Sequence, residues 1–296
     1  MRIGGSELTS DHRAVIASLT SQDRLRLTAK SDIIGLRHLA CHGGAILLFG
    51  SLISARVPVW PLLMVPQGIL IVFLFTLLHE SIHRTAFKTK GLNDIVAWIC
   101  AVMIALPPEW FRGFHFAHHR FTQDPENDPE LATPKPETPS QYVVHLSGLP
   151  TWYSHLKTLG INALGRGAVR TEARIMIALY AALAGLSFLT GSTVLLYTWI
   201  LPAIIGQPAL RLYLLAEHGG CPKLPNMLEN TRTVLTNWLI RKIAWNMPYH
   251  TEHHTYPAVP FHRLPELHSV MADRLQHVEP GYTSFHRRYF SSLVSR

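Results

Sequence analysis

Eight of the 18 histidines in this 296-residue chain fall into three compact boxes. These are "HESIH" (His79, His83), "HFAHH" (His115, His118, His119) and "HTEHH" (His250, His253, His254). On a helix, residues three and four apart share a face, so each box directs its imidazoles toward one place. That is the arrangement a metal needs. Imidazole suits zinc, copper, iron and nickel, and a structural zinc is complete with four ligands, so eight or more ligands imply two metals. Taken alone, the first box has another meaning. H-E-x-x-H on a helix is the zinc metalloprotease signature, with Glu80 as general base, but a protease would leave the other two boxes without a role. A non-catalytic metal carrier is a third reading, although it would place its ligands inside apolar spans rather than at their ends.

The elements that must position these boxes are apolar. Segments at about 33–53, 59–78, 174–191 and 193–216 approach the roughly 20 residues needed to cross a bilayer. The expected fold is therefore an all-α integral membrane protein. Two transmembrane helical hairpins would carry a cytoplasmic helical cap with the histidine boxes, in a single domain over residues 1–296. The second span continues past Leu78, presenting His79 and His83 at its mouth. Pro107 and Pro108 start a helix with Glu109 in its first turn, and the second box follows about two turns in. The third box lies between Pro248 and Pro257 and is also expected on a helix. Residues 94–106 are too few to span and suit a buried or interfacial helix. Arg37, His38 and His42 lie within the first span, where they must snorkel or face protein. Residues 131–141 are Pro-rich and extended, and Tyr142, Trp152 and Tyr153 suit a membrane interface.

A net charge of +8 invites a nucleic-acid reading. The positions of the charges argue against it. Of 27 Lys and Arg, only Arg56 lies in the turns that close the two hairpins. The positive-inside rule then places residues 1–32, 79–173 and 217–296 in the cytoplasm, as for a bacterial-type inner membrane. Residues 1–32 are polar and carry no cleavable signal peptide pattern. The scattered Cys41, Cys100 and Cys221 read as reduced and structural.

The trio H-x-x-x-H, H-x-x-H-H and H-x-x-H-H, with the first box ending one hairpin and the last following a second, resembles the membrane fatty acid desaturase and hydroxylase superfamily. That superfamily includes carotenoid ketolases. The resemblance runs from about residue 33 to 270. It implies two iron ions, O₂ as co-substrate, and electrons from a separate ferredoxin- or rubredoxin-type donor with its reductase. It implies that the eight box histidines are iron ligands, with His218 in "LLAEHGG" as a ninth, and that Asp128 orients His119 or a neighbour. It also implies an apolar substrate drawn from the bilayer: an acyl chain to be desaturated, or else a carotenoid or small metabolite to be hydroxylated. From the residues themselves, Asn246 would face the site if a helix ran on to His250. Glu80, Glu217 and Glu252, each beside a histidine, would accept its second N–H and fix its tautomer. His262 and His268 are expected to be structural.

Overall fold

Caps and prolines mark where the helices begin. The computed structural model describes residues 11–295, so the first ten residues of the expected cytoplasmic N-terminal stretch lie outside the described residues. Asp11 opens α1 (His12–Ser18) by accepting from the Arg13 N–H, and Thr20 opens α2 (Ser21–Leu27) by accepting from Asp23. Ser31 caps α3 (Asp32–Ser54), the first long apolar helix, through the Ile34 N–H. Next, α4 (Trp60–Val72) and α5 (Leu74–Ile82) together make one apolar stretch from Trp60 to Ile82. The chain then folds back through α6 (Lys90–Ile104). It turns by 97° into α7 (Pro108–Phe121), because Ala105 takes a left-handed conformation (φ 55°) and Pro107–Pro108 cannot continue α6.

Helices α8 (Pro139–Ser147) and α9 (Leu149–Leu164) meet at Gly148. They lead to α10 (Gly167–Thr190) and, through a π-helical turn at Leu196–Ile200, to α11 (Leu201–His218). The remainder is a set of short elements packed over the helix ends: α12 (Met227–Asn230), α13 (Trp238–Ile243), α14 (His250–Thr255), α15 (Leu264–Met271) and α16 (Tyr282–Val294). Two-residue strands β1 (Thr233–Val234) and β2 (Val278–Glu279) pair in parallel, Thr233 opposite Val278, and tie this region together.

Four helices are long and apolar enough to cross a membrane: Ser21–Ser54, Trp60–Ile82, Gly167–Thr190 and Leu196–His218. The third begins earlier than the apolar run, at Gly167, because Glu172 is buried and accepts the Glu109 N–H at 2.9 Å. Its far end leaves Phe188 and Leu189 more than 80% exposed. Apolar surface on that scale belongs in lipid rather than water, and the fold is that of an all-α membrane protein. His38 and His42 face protein, not lipid. His42 Nε2 lies 2.9 Å from the Leu70 carbonyl while its Nδ1 accepts from the Trp245 indole at 3.2 Å, and His38 Nε2 lies 2.6 Å from the Lys242 carbonyl.

The α4–α11 crossing sets the span that runs into the first box against the one that ends at His218. There the backbones touch: a Cβ on Gly68 would sit 2.0 Å from the Pro202 carbonyl oxygen, and one on Gly206 would sit 2.2 Å from the Gly68 carbonyl carbon. Neither obstacle can swing aside, since both are backbone. Gly206→Ala is expected to lower stability by about 1–3 kcal/mol or more through overpacking. By contrast Gly44→Ala, helical and in open space, is expected to gain about 0.5–1 kcal/mol. Thermal unfolding in detergent checks the pair.

Candidate metal centre

The second box lies within α7, and the helix ends that carry the first box and His218 are each held by an arginine. His79 and His83 close α5, whose Ile82 carbonyl accepts from Arg112 of α7 at 2.8 Å. His218 is the last residue of α11. That end is stapled by buried Arg232, which donates to the Ala216 and Gly219 carbonyls at 2.7 and 2.8 Å. The third box sits on α14, as its spacing requires.

These four segments converge. Ring nitrogens of His79, His83, His115, His119 and His253 lie within 4.8 Å of one another, and those of His118, His218 and His254 form a second such group. His250 joins the second group, its Nε2 3.1 Å from that of His218. The groups adjoin: the His119 and His254 rings stack at 4.1 Å. Spacing explains the split of one box between them. His115 and His119 are one turn apart, their Nε2 atoms 2.9 Å apart, whereas His118 projects to the other side.

Hydrogen bonding fixes the tautomers of the second group. His118 Nδ1 donates to Asp128 at 2.9 Å, and His218 Nδ1 donates to the Asn230 carbonyl at 3.1 Å. Thr122 spends its hydroxyl proton on the His118 carbonyl (2.7 Å), so at 3.2 Å it accepts from His254 Nδ1. In neutral rings each Nε2 therefore carries a lone pair. Yet the Nε2 atoms of His118 and His218 face each other at 3.3 Å, and that of His254 is buried without a partner. Lone pairs aimed at one another need a cation between them. In the first group both nitrogens of His79 and the His83 Nε2 are likewise buried and unpartnered. Burial and neighbouring imidazoles hold His115, His119, His250, His253 and His254 well below the usual histidine range, and burial, with Arg112, takes His83 down to about 3. All are neutral at pH 7, the form that binds a metal.

The expected supporting residues are placed as follows. Asp128 reaches His118 rather than His119, and also accepts the Gln123 and Glu130 N–H groups. Glu217 Oε1 lies 3.4 Å from His250 Nδ1. Glu80 is only 3.9 Å from His79 Nδ1, and its other oxygen accepts the Phe261 N–H at 3.0 Å. It supports the loop after the third box and is not placed as a general base. Glu252 turns away from its neighbouring histidines toward Thr233 and His268. Asn246 departs from the helical argument. No helix joins it to His250, since Trp245 and Asn246 have φ 50° and 56°, and its amide donates to the Phe261 carbonyl. Thr122, Gln123, Asn230, Glu130 and Arg232 had no signal in the sequence. Glu130 brings a carboxylate oxygen 3.3 Å from His118 Nε2, and the nearest hint was its place in the acidic "DPE" turn.

Beside the cluster a cavity of about 300 Å³ reaches His79, His115, His118 and His250. Phe75, Phe111, Phe114 and Leu214 give it an apolar wall.

A family model described as "Fatty acid desaturase" matches residues 54–286. The chain belongs to the fatty acid desaturase family. It is 28% identical over 234 residues to the dihydrorhizobitoxine desaturase of Bradyrhizobium elkanii, covering 71% of this chain and 65% of that protein. It is 24% identical over 225 residues to a sphingolipid delta(4)-desaturase of Komagataella phaffii (72% and 61%), and 27% identical over 235 residues to one of Drosophila melanogaster (77% and 70%). The alignments thus span about two thirds of each relative's length. Desaturases of this family are generally di-iron and O₂-dependent, and the donor set here, nine imidazoles in two adjoining groups, fits such a pair of ions.

If Asp128 orients His118 for a metal, Asp128→Asn weakens one of two metal equivalents about 10–100-fold, as loss of such a partner commonly does. Metal titration followed by elemental analysis checks this, and Asn246→Ala is expected to leave both equivalents in place.

Proposed function

We propose that this chain is an O₂-dependent desaturase in which His79, His83, His115, His118, His119, His218, His250, His253 and His254 hold two iron ions. The observation that carries the reading is the facing of unprotonated imidazole nitrogens across two adjoining groups beside an apolar-walled cavity. Bound there, the iron pair would supply the oxidant for an unactivated C–H bond. The protein's own contribution is position. Asp128, Asn230 and Thr122 fix ring tautomers, and the walls of Phe75, Phe111 and Phe114 exclude water from the reacting carbons.

Electron balance defines the remaining partner. Making a double bond from two adjacent CH₂ groups releases two electrons and two protons, whereas O₂ needs four of each to become two waters. Two electrons must come from elsewhere, so a ferredoxin- or rubredoxin-type donor with its reductase completes the reaction. A cytoplasmic location of the cluster suits that donor and agrees with the distribution of Lys and Arg. On this reading the chain is one domain whose two hairpins, Ser21–Ile82 and Gly167–His218, carry the cap on the cytoplasmic side of a bacterial-type inner membrane.

Purified protein is expected to hold about two irons per chain, as the two ligand groups require. His118→Ala is expected to lose metal and all oxidation when the chain is expressed with a ferredoxin system. Mass analysis of lipids and metabolites reads the outcome: loss of two hydrogens is expected, gain of an oxygen would make the chain a hydroxylase, and full activity in the variant would overturn the reading.

A further inference from the structure

The cavity beside the histidines has a second chemical character that an acyl chain alone does not call for. Helix α9 is built inside out. Leu149, Tyr153, Leu156, Ile161 and Leu164 form an outward stripe, each more than half exposed, while Thr151, Ser154, His155 and Thr158 line the cavity. Helical spacing puts Leu149, Tyr153, Leu156 and Leu164 on one face and Thr151, His155 and Thr158 on the opposite one. The apolar stripe suits lipid, and the polar face is left to the cavity.

Arg211 faces the same space from α11. It lies within the span Leu196–His218, where a charged side chain is expensive and is expected to have a partner. No carboxylate closes on it within 4.0 Å among the described residues: its Nε is buried without a hydrogen bond, and Glu130 and Glu217 act on it only electrostatically across the cavity. Two carboxylates line the cavity, and each lies closer to another cation or ring than to Arg211. Glu130 pairs with Lys135 and lies 3.3 Å from His118 Nε2, and Glu217 lies 3.4 Å from His250 Nδ1. The guanidinium, a planar fork matched to a carboxylate, therefore lines the pocket with no carboxylate in direct contact.

We propose that the substrate carries a carboxylate, which Arg211 binds within this cavity. Arg211 and His218 are seven residues apart on α11, so they share a face at a separation of about 10 Å. The carboxylate then sets which carbons reach the histidine cluster: the site measures from the acid end, and the substrate is a free aliphatic acid rather than an acyl chain esterified to a membrane lipid. The polar face of α9 solvates the head, and the phenylalanine wall takes the chain. This assignment rests on the cluster being the reacting centre.

The test is binding, which is read separately from turnover. Purified iron-loaded protein in nanodiscs is titrated with straight-chain acids from butyrate to stearate, and with their methyl esters and amides. At least one acid is expected to bind more tightly than its ester and amide by about tenfold or more, the value of a charged hydrogen bond. Arg211→Gln is expected to bring that acid down to the level of its ester with metal content unchanged, and Arg211→Lys to keep part of the preference. Equal binding of acid and ester throughout the series, measured on the unmutated protein, would overturn the proposal, as would an unchanged preference in a folded Arg211→Gln. A third overturning result is a product found only in phospholipid-bound chains. Metal content without any oxidation would instead count against the desaturase reading, leaving the acid preference to be judged by the titration.

Discussion

Unprotonated imidazole nitrogens aimed at one another are the constraint around which this molecule is organised. Asp128, the Asn230 carbonyl and Thr122 each take the Nδ1 proton of one histidine, which leaves His118, His218 and His254 with lone pairs on the nitrogens that converge. Without a cation, such an arrangement would be repulsive and buried at once. Its persistence depends on rigid supports, and the strongest of these lie at helix ends. Arg112 caps α5, Arg232 caps α11, and the paired strands β1 and β2 hold the region from which Thr233 reaches Glu252 of α14.

The apolar helices serve the same constraint from below. Gly68 and Gly206 let α4 and α11 touch through their backbones, which sets the separation of His79 from His218. A crossing held by backbone contact tolerates little change in distance, whereas larger interfacial side chains would leave it adjustable. The sharp turn between α6 and α7 then brings the second box over the mouth of the second span. Two environments meet at that level: apolar walls that can shelter a hydrocarbon, and polar helix ends that can hold ions. On the proposed reading this is where a substrate and an electron donor reach the same atoms from opposite sides.

Much of this was legible in the sequence for a simple reason. Helix period and bilayer thickness are local rules, so apolar runs and H-x-x-H-H spacing specify helices and their faces without knowledge of the partners. The resemblance implied a ninth ligand, and depth picked His218 for it, as the residue that follows one span where His79 ends another. The rules failed where the chain leaves the helix. The spacing of Asn246 from His250 had meaning only on a helix, and the left-handed turn at Trp245 and Asn246 removes it. Adjacency misled for Glu252, because a neighbour in sequence points to a different side of a helix.

By itself, then, the sequence determined the element types, the membrane class and which histidines could act together, since each depends on periodicity, hydropathy and residue chemistry. Only the tertiary structure decided how nine histidines divide into two groups, which carboxylate serves which ring, and that Arg211 lines the cavity with its Nε unbonded. Many of these are relations between residues a hundred or more positions apart, as His118 and His218 or His119 and His253 are. They depend on how helices cross and on where backbone carbonyls find donors, and neither is written in a local pattern.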